Sequence, residues 1–219
     1  MKWRRWLLLP LILALAAGLG YTVLSLPDQA QGLQGAVADQ LEKSGVSNPV
    51  TAVLLNFRGY DTLLEMVVLL LALLGVWSLG AQPAVHTESN PGPVLDTLTC
   101  LLVPVLVLVA AYLLWAGANA PGGAFQAGAV LGAAGVLWIL TRGRLRHGLA
   151  RLPLRIALVA GVVAFLAVAV LMLQTGRQLL EYPPAQAGSL ILLIEAIATV
   201  SIGVTLATLF LGTEPTDKE

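Results

Sequence analysis

The chain has 219 residues, of which 58% are hydrophobic and only 11% charged, and its mean hydropathy is +0.85. Soluble domains carry about 45–50% apolar and about 25% charged residues, so too little polar surface exists here to cover a water-soluble globule. The net charge is zero, and with no basic block interleaved with aromatics there is no case for nucleic-acid binding.

A helix needs about 20 mainly apolar residues to cross hydrocarbon. Six runs are candidates: 6–26, 62–80, 94–117, 125–140, 155–175 and 188–212, the fourth of them short and able to span with little tilt or by recruiting Gly122 and Gly123. The expected fold is an all-α integral membrane protein with about six transmembrane helices. The first run has a rival reading, because "MKWRR" ahead of an apolar stretch with Ala14, Ala16 and Ala17 resembles a secretory signal; the run is longer than the usual h-region of about 7–15 residues.

The long connection over 27–61 begins polar and then turns apolar at "NPVTAVLLNF", which is too short to span. It reads as a short helix at the interface or wedged against the bundle, capped by Asn48 with Pro49 at its first position. The stretch 82–93 is rich in Pro, Gly, Ser and Asn and reads as an exposed turn. The tail after Gly212 is short and charged. Lys2, Arg4 and Arg5 precede the first run, and Arg142, Arg144, Arg146, Arg151 and Arg155 surround the fourth connection, whereas the odd connections hold only Lys43, Arg58 and Arg177. With six spans this bias puts both termini in the cytoplasm.

Intramembrane ionisable residues are costly and mark functional sites by default. Asp61 and Glu65 are four residues apart and share one helix face; with Arg58 beside them they can hand on a proton or a hydrated sodium ion. The same residues have a plainer use, since Asp61 is a good N-cap and Thr62 with Glu65 has capping-box spacing. Both readings stay open. Glu195, in "LILLIEAIATVSIGV", lies about 10 Å inside the last run at 5.4 Å per turn. No cap is available there, so it is neutral or partnered, serving either a pathway or subunit junction or a structural hydrogen bond to another helix. Asp96 reads as the cap of the third helix.

In "GANAPGGAFQAGAV", Gly117, Pro121, Gly122 and Gly123 break the helical pattern within membrane reach. Non-helical backbone survives there only where protein or water covers it; Asn119 and Gln126 are candidates to satisfy the freed groups. A tight hairpin and an ion-binding break both fit. Gly128 and Gly132 form a GxxxG pair that admits a neighbouring helix. His86, His147 and the single Cys100 have no metal-ligand spacing. Catalytic triad patterns and phosphate-cradling loops are absent, so neither catalysis nor a cofactor is expected.

Two of these stretches carry a resemblance. "NPVTAVLLNFRGYDTLLE" resembles a segment of the C-terminal part of the A subunit, or its separate E-type counterpart, in Mrp-type (Mnh-type) multisubunit sodium/proton antiporters and related membrane-bound hydrogenases. "LLVPVLVLVAAYLLWAGANAPGGAFQAGAV" resembles the B-subunit signature NxPGGGFxxG of that family. The matched positions are Arg58, Asp61, Thr62 and Glu65, then Asn119, Pro121, Gly122, Gly123, Phe125 and Gly128; Leu64 and Ala124 stand where the family commonly has glycine. The resemblance implies a fused chain, with an E-like two-helix part over 1–85 and a B-like four-helix part over 86–219. It further implies a subunit that contributes to sodium/proton exchange beside other antiporter subunits, in a bacterial or archaeal cell membrane. The alternative it implies is a structural membrane-arm subunit of an energy-converting complex such as a membrane-bound hydrogenase. The motif-matched ion-pathway candidates are Arg58, Asp61 and Glu65; Glu195 joins them from its place in an apolar run, outside the motifs.

Overall fold

The computed structural model describes residues 2–26, 32–79, 92–142 and 151–212, with side chains except those of residues 2–8, 142 and 151. Most of the turn over 82–93, the tail from 213 on, His86, His147, Arg144 and Arg146 lie outside the described residues. So do the side chains of Lys2, Arg4, Arg5, Arg142 and Arg151.

The described elements are α1 (Lys2–Leu24), α2 (Gln34–Gln40), α3 (Pro49–Ala52), α4 (Gly59–Ser78), α5 (Pro93–Ala116), α6 (Ala124–Arg142), α7 (Arg151–Gln174) and α8 (Ala187–Leu211). A 3-10 turn, Leu41–Ser44, precedes α3, and a π-helical turn, Val53–Phe57, joins α3 to α4. No strand occurs among the described residues. Helices α4 to α8 are long and apolar enough to cross a membrane, and the apolar stretch Leu9–Leu24 within α1 is shorter. This is an all-α, multi-pass membrane protein with about six spans.

The chain divides into two compact units, Met1–Ala36 and Val37–Glu219. In the first, α1 exposes Leu11, Leu13, Leu15, Leu19 and Val23. A helix apolar on every side belongs in lipid or against protein, not in water.

In the second unit α8 is central: 56% of its span is buried, against 11% for α5. Helices α6 and α7 pack directly on α8, α4 packs on α7 and α8, and α5 packs on α6. Phe165, Ile191, Ile194, Met66 and Ile202 lie in the apolar core between them. Lipid tails are as apolar as leucine, so close packing and hydrogen bonds hold such helices together. The GxxxG pair does this on the α6–α8 seam. A Cβ on Gly128 would sit 2.7 Å from Ile202 Cγ2, and one on Gly132 3.0 Å from Leu206 Cβ. Across the α7–α8 seam the Ser201 hydroxyl donates to Leu158 O at 2.7 Å. The buried Thr199, Thr205 and Thr208 hydroxyls each donate to the carbonyl one turn back, at 2.7 Å, so they add no unpaired donor to the core.

Helix α5 starts at Pro93, with Gly92 before it. The fixed φ of proline suits a first helical position, and this moves the helix start ahead of Asp96. Asp96 therefore sits in the first turn and is not the cap expected from sequence. Helix α8 stops at Gly212, whose φ of 66° takes the left-handed conformation typical of helix C-termini.

Candidate functional site

The segment before α4 is built by local rules. Asn48 caps α3 as expected: its Oδ1 accepts from Val50 N at 2.9 Å, with Pro49 at the first position. The same residue reaches a distant part of the chain. Its Nδ2 donates to Ala120 O at 2.6 Å, and the backbone N–H groups of Ser47 and Asn48 both donate to Ala118 O at 3.0 Å. Thr51 Oγ1 donates to Gly117 O at 2.6 Å. The carbonyls freed where α5 ends are thus taken by Ser47, Asn48 and Thr51. Asn119 and Gln126 were expected in that role. Instead Asn119 Oδ1 accepts from Ser47 Oγ at 2.7 Å.

The Pro121–Gly123 turn then folds back on α5: Gly123 N donates to Leu113 O at 2.9 Å. Gly123 has φ +110°, a conformation that side-chain-bearing residues rarely adopt. From this turn α6 departs with its first N–H groups unused by the helix itself.

Glu195 meets that helix start. It is the ninth residue of α8, 3% exposed, and its Oε1 accepts from Ala124 N at 3.3 Å. A Cβ on Gly123 would lie 2.7 Å from the same oxygen. The glycine is needed twice, for its φ and for the space the carboxyl occupies. Backbone N–H dipoles at a helix start favour negative charge, so the start of α6 offsets part of the cost of burying this carboxyl. The sequence treated Glu195 and the Pro-Gly-Gly motif as separate features; 72 to 74 residues apart, they meet in one place.

The α4 acids are placed differently. Helix α4 begins at Gly59, with Arg58 at the N-cap position and no side-chain cap. The capping readings of Asp61 and of Thr62 with Glu65 are therefore corrected. The preceding residues already turn helically through the π segment, which carries the helix start upstream of Asp61. The Thr62 hydroxyl donates to Leu54 O of that segment at 2.6 Å. Asp61 forms an ion pair with Arg58, and both side chains are solvent-accessible in the isolated chain. Glu65, one turn on, is exposed. Among the described residues no hydrogen bond or ion pair joins Glu195 to Arg58, Asp61 or Glu65, so the four candidates form one group at the start of α4 and a second, buried one on α8.

Residues 94–212, more than half of the chain, match the family described as a domain related to the MnhB subunit of Na+/H+ antiporter. The chain belongs to that family. Residues 3–91 match a second family, the E-type subunit of MBH, so the MnhB-related part carries both Glu195 and the glycine turn, and the E-related part carries Arg58, Asp61 and Glu65. No curated protein matches the chain. Among solved structures, a chain of the membrane-bound sulfane sulfur reductase, an archaeal respiratory membrane complex, superposes with TM-score 0.70 at 23% identity, over 95% of this chain and 97% of that one. A chain of the Mrp complex from Dietzia sp. DQ12-45-1b superposes with TM-score 0.68 at 24% identity, over 96% of this chain and 26% of that one. This chain spans about a quarter of that longer one. At these identities the likenesses show the fold. The MnhB-related chain is a multi-pass membrane subunit of the cation/proton antiporter type or of a related multisubunit complex.

Proposed function

We propose that this chain contributes to sodium/proton exchange as one subunit of an antiporter in a bacterial or archaeal cell membrane, without catalytic chemistry of its own. The observation that carries the proposal is the Glu195 carboxyl, buried in a spanning helix and facing the start of α6. A carboxyl kept at such depth is costly unless it is used or partnered, and its one partner among the described residues is a backbone N–H at 3.3 Å, at the long end of hydrogen bonding. Arg58, Asp61 and Glu65 supply a second, outer station. Glu65 is six residues into α4, roughly 9 Å along the helix at 1.5 Å per residue, and exposed in the isolated chain. Bare contact with lipid at that depth is unfavourable, so this face of α4 meets water or another subunit.

The test is exchange in everted vesicles bearing the assembled complex. Glu195→Gln and Glu65→Gln are each expected to reduce sodium/proton exchange at least tenfold while assembly on a native gel is unchanged. Unchanged exchange in both would remove the pathway reading. The end-to-end match with a chain of a respiratory membrane complex favours a second reading, a membrane-arm subunit of an energy-converting assembly. Co-purification of redox subunits with the tagged chain would support that reading.

A further inference from the structure

One segment touches both elements that meet at the Glu195 contact. Gly45 lies directly on the start of α8, where a Cβ on Gly45 would be 2.6 Å from Gly188 N and one on Gly188 2.6 Å from Gly45 O. Three and six residues on, Asn48 and Thr51 are bonded at 2.6 Å to Ala120 O and Gly117 O, in the turn that leads into Ala124. The segment is itself fixed. Ser44 is fully buried, its hydroxyl donates to Leu41 O, and Asn56 Nδ2 donates to Ser44 O at 3.0 Å. Asn48 and Thr51 are 8% and 4% exposed, so water does not compete for these bonds. No hydrogen bond from a side chain of this segment reaches Glu195 or Ala124 among the described residues, so any influence runs through the turn.

We propose that Ser44–Thr51 is a positioning clamp, in which Asn48 and Thr51 hold the start of α6 against the Glu195 carboxyl while Gly45 fixes the start of α8. Asn48 and Thr51 are positioning residues; they touch neither the carboxyl nor an ion. The role bears on transport only if Glu195 serves as proposed above, but the geometry can be tested without transport. The clamp sits in the E-related part and its target in the MnhB-related part, which gives a physical reason for the two to occur in one chain: the first completes the site of the second.

The experiment uses the intact complex in native membranes and the carboxyl reagent dicyclohexylcarbodiimide, in acidic buffer, with modification of Glu195 followed by peptide mass spectrometry. The variants are Asn48→Ala, Thr51→Val and the conservative Thr51→Ser, each checked for assembly on a native gel. The clamp predicts that Asn48→Ala and Thr51→Val change the Glu195 modification rate by about fivefold, which at 1.36 kcal/mol per tenfold is about 1 kcal/mol, and that Thr51→Ser restores the wild-type rate. Wild-type rates in all three assembled variants would overturn it. Failure of Asn48→Ala and Thr51→Val to assemble while Thr51→Ser assembles would also overturn it, because the bonds would then serve folding alone. The readout is independent of exchange: a changed rate alongside normal exchange in Glu195→Gln would keep the clamp and discard the pathway.

Discussion

Replacing Gly123 with alanine puts a methyl carbon 2.7 Å from Glu195 Oε1, on a residue with φ +110°. Two costs add. Holding a side-chain-bearing residue in a sparsely populated backbone region costs on the order of 1–3 kcal/mol. Pushing the carboxyl away from Ala124 N–H removes a hydrogen bond to a group able to carry charge, about 1.5–3 kcal/mol. The sum is about 2.5–6 kcal/mol, or roughly 5–24 °C in melting midpoint for a chain of this size. The assay is the midpoint of the assembled complex in mild detergent, read by loss of the monodisperse peak in size-exclusion chromatography. Gly176→Ala is the control: its φ is +77° but no heavy atom lies within 4 Å of the new Cβ, so it carries only backbone strain. A loss in Gly123→Ala no larger than in Gly176→Ala would refute the packing of Glu195 on the glycine turn.

Other outcomes follow from the same contacts. Ser201→Ala should lower the midpoint by a few degrees, since it leaves the α7–α8 bond to Leu158 O unmade, about 1 kcal/mol; an unchanged midpoint would contradict that bond. Gly128→Leu should separate α6 from α8 and lower the yield of folded chain sharply, because Ile202 and Thr199 O occupy the space; normal yield would contradict the seam. Arg58→Gln should shift the midpoint by less than about 2 °C, because an exposed ion pair contributes about 0–1 kcal/mol. Tyr182 has a buried hydroxyl with no partner among the described residues, and burial pushes its phenol above the ordinary range. Tyr182→Phe should therefore hold or raise the midpoint, and a loss of several degrees would show that the hydroxyl is bonded in the assembly.

The spans were legible because lipid imposes a single rule, a long apolar run, and the observed helices begin and end within about four residues of the runs. Asn48 was legible as a cap because Asn-Pro is a local signal. Gly128 and Gly132 were legible as a packing face because a missing side chain on one helix side invites a neighbour. The start of α4 was misread for an equally local reason: Asp61 and Thr62 look like caps only if the chain enters from a loop, and here it enters from the π turn. What the sequence hid was long-range. The bonds from Asn48 and Thr51 to Ala120 and Gly117 cross 66 to 72 residues, and nothing in the composition of either stretch names the other. Glu195 was recognised as out of place in an apolar run, yet its partner is a backbone N–H, which every residue but proline possesses and which no pattern marks.

The central claim, that the Glu195 carboxyl answers to the transported ion, is tested most directly by infrared difference spectroscopy. Sodium would be added to the purified complex, wild type beside Glu195→Gln. The account predicts a sodium-induced change in the carboxyl region that the variant lacks. The same difference spectrum in both proteins, or none in the wild type, would contradict it.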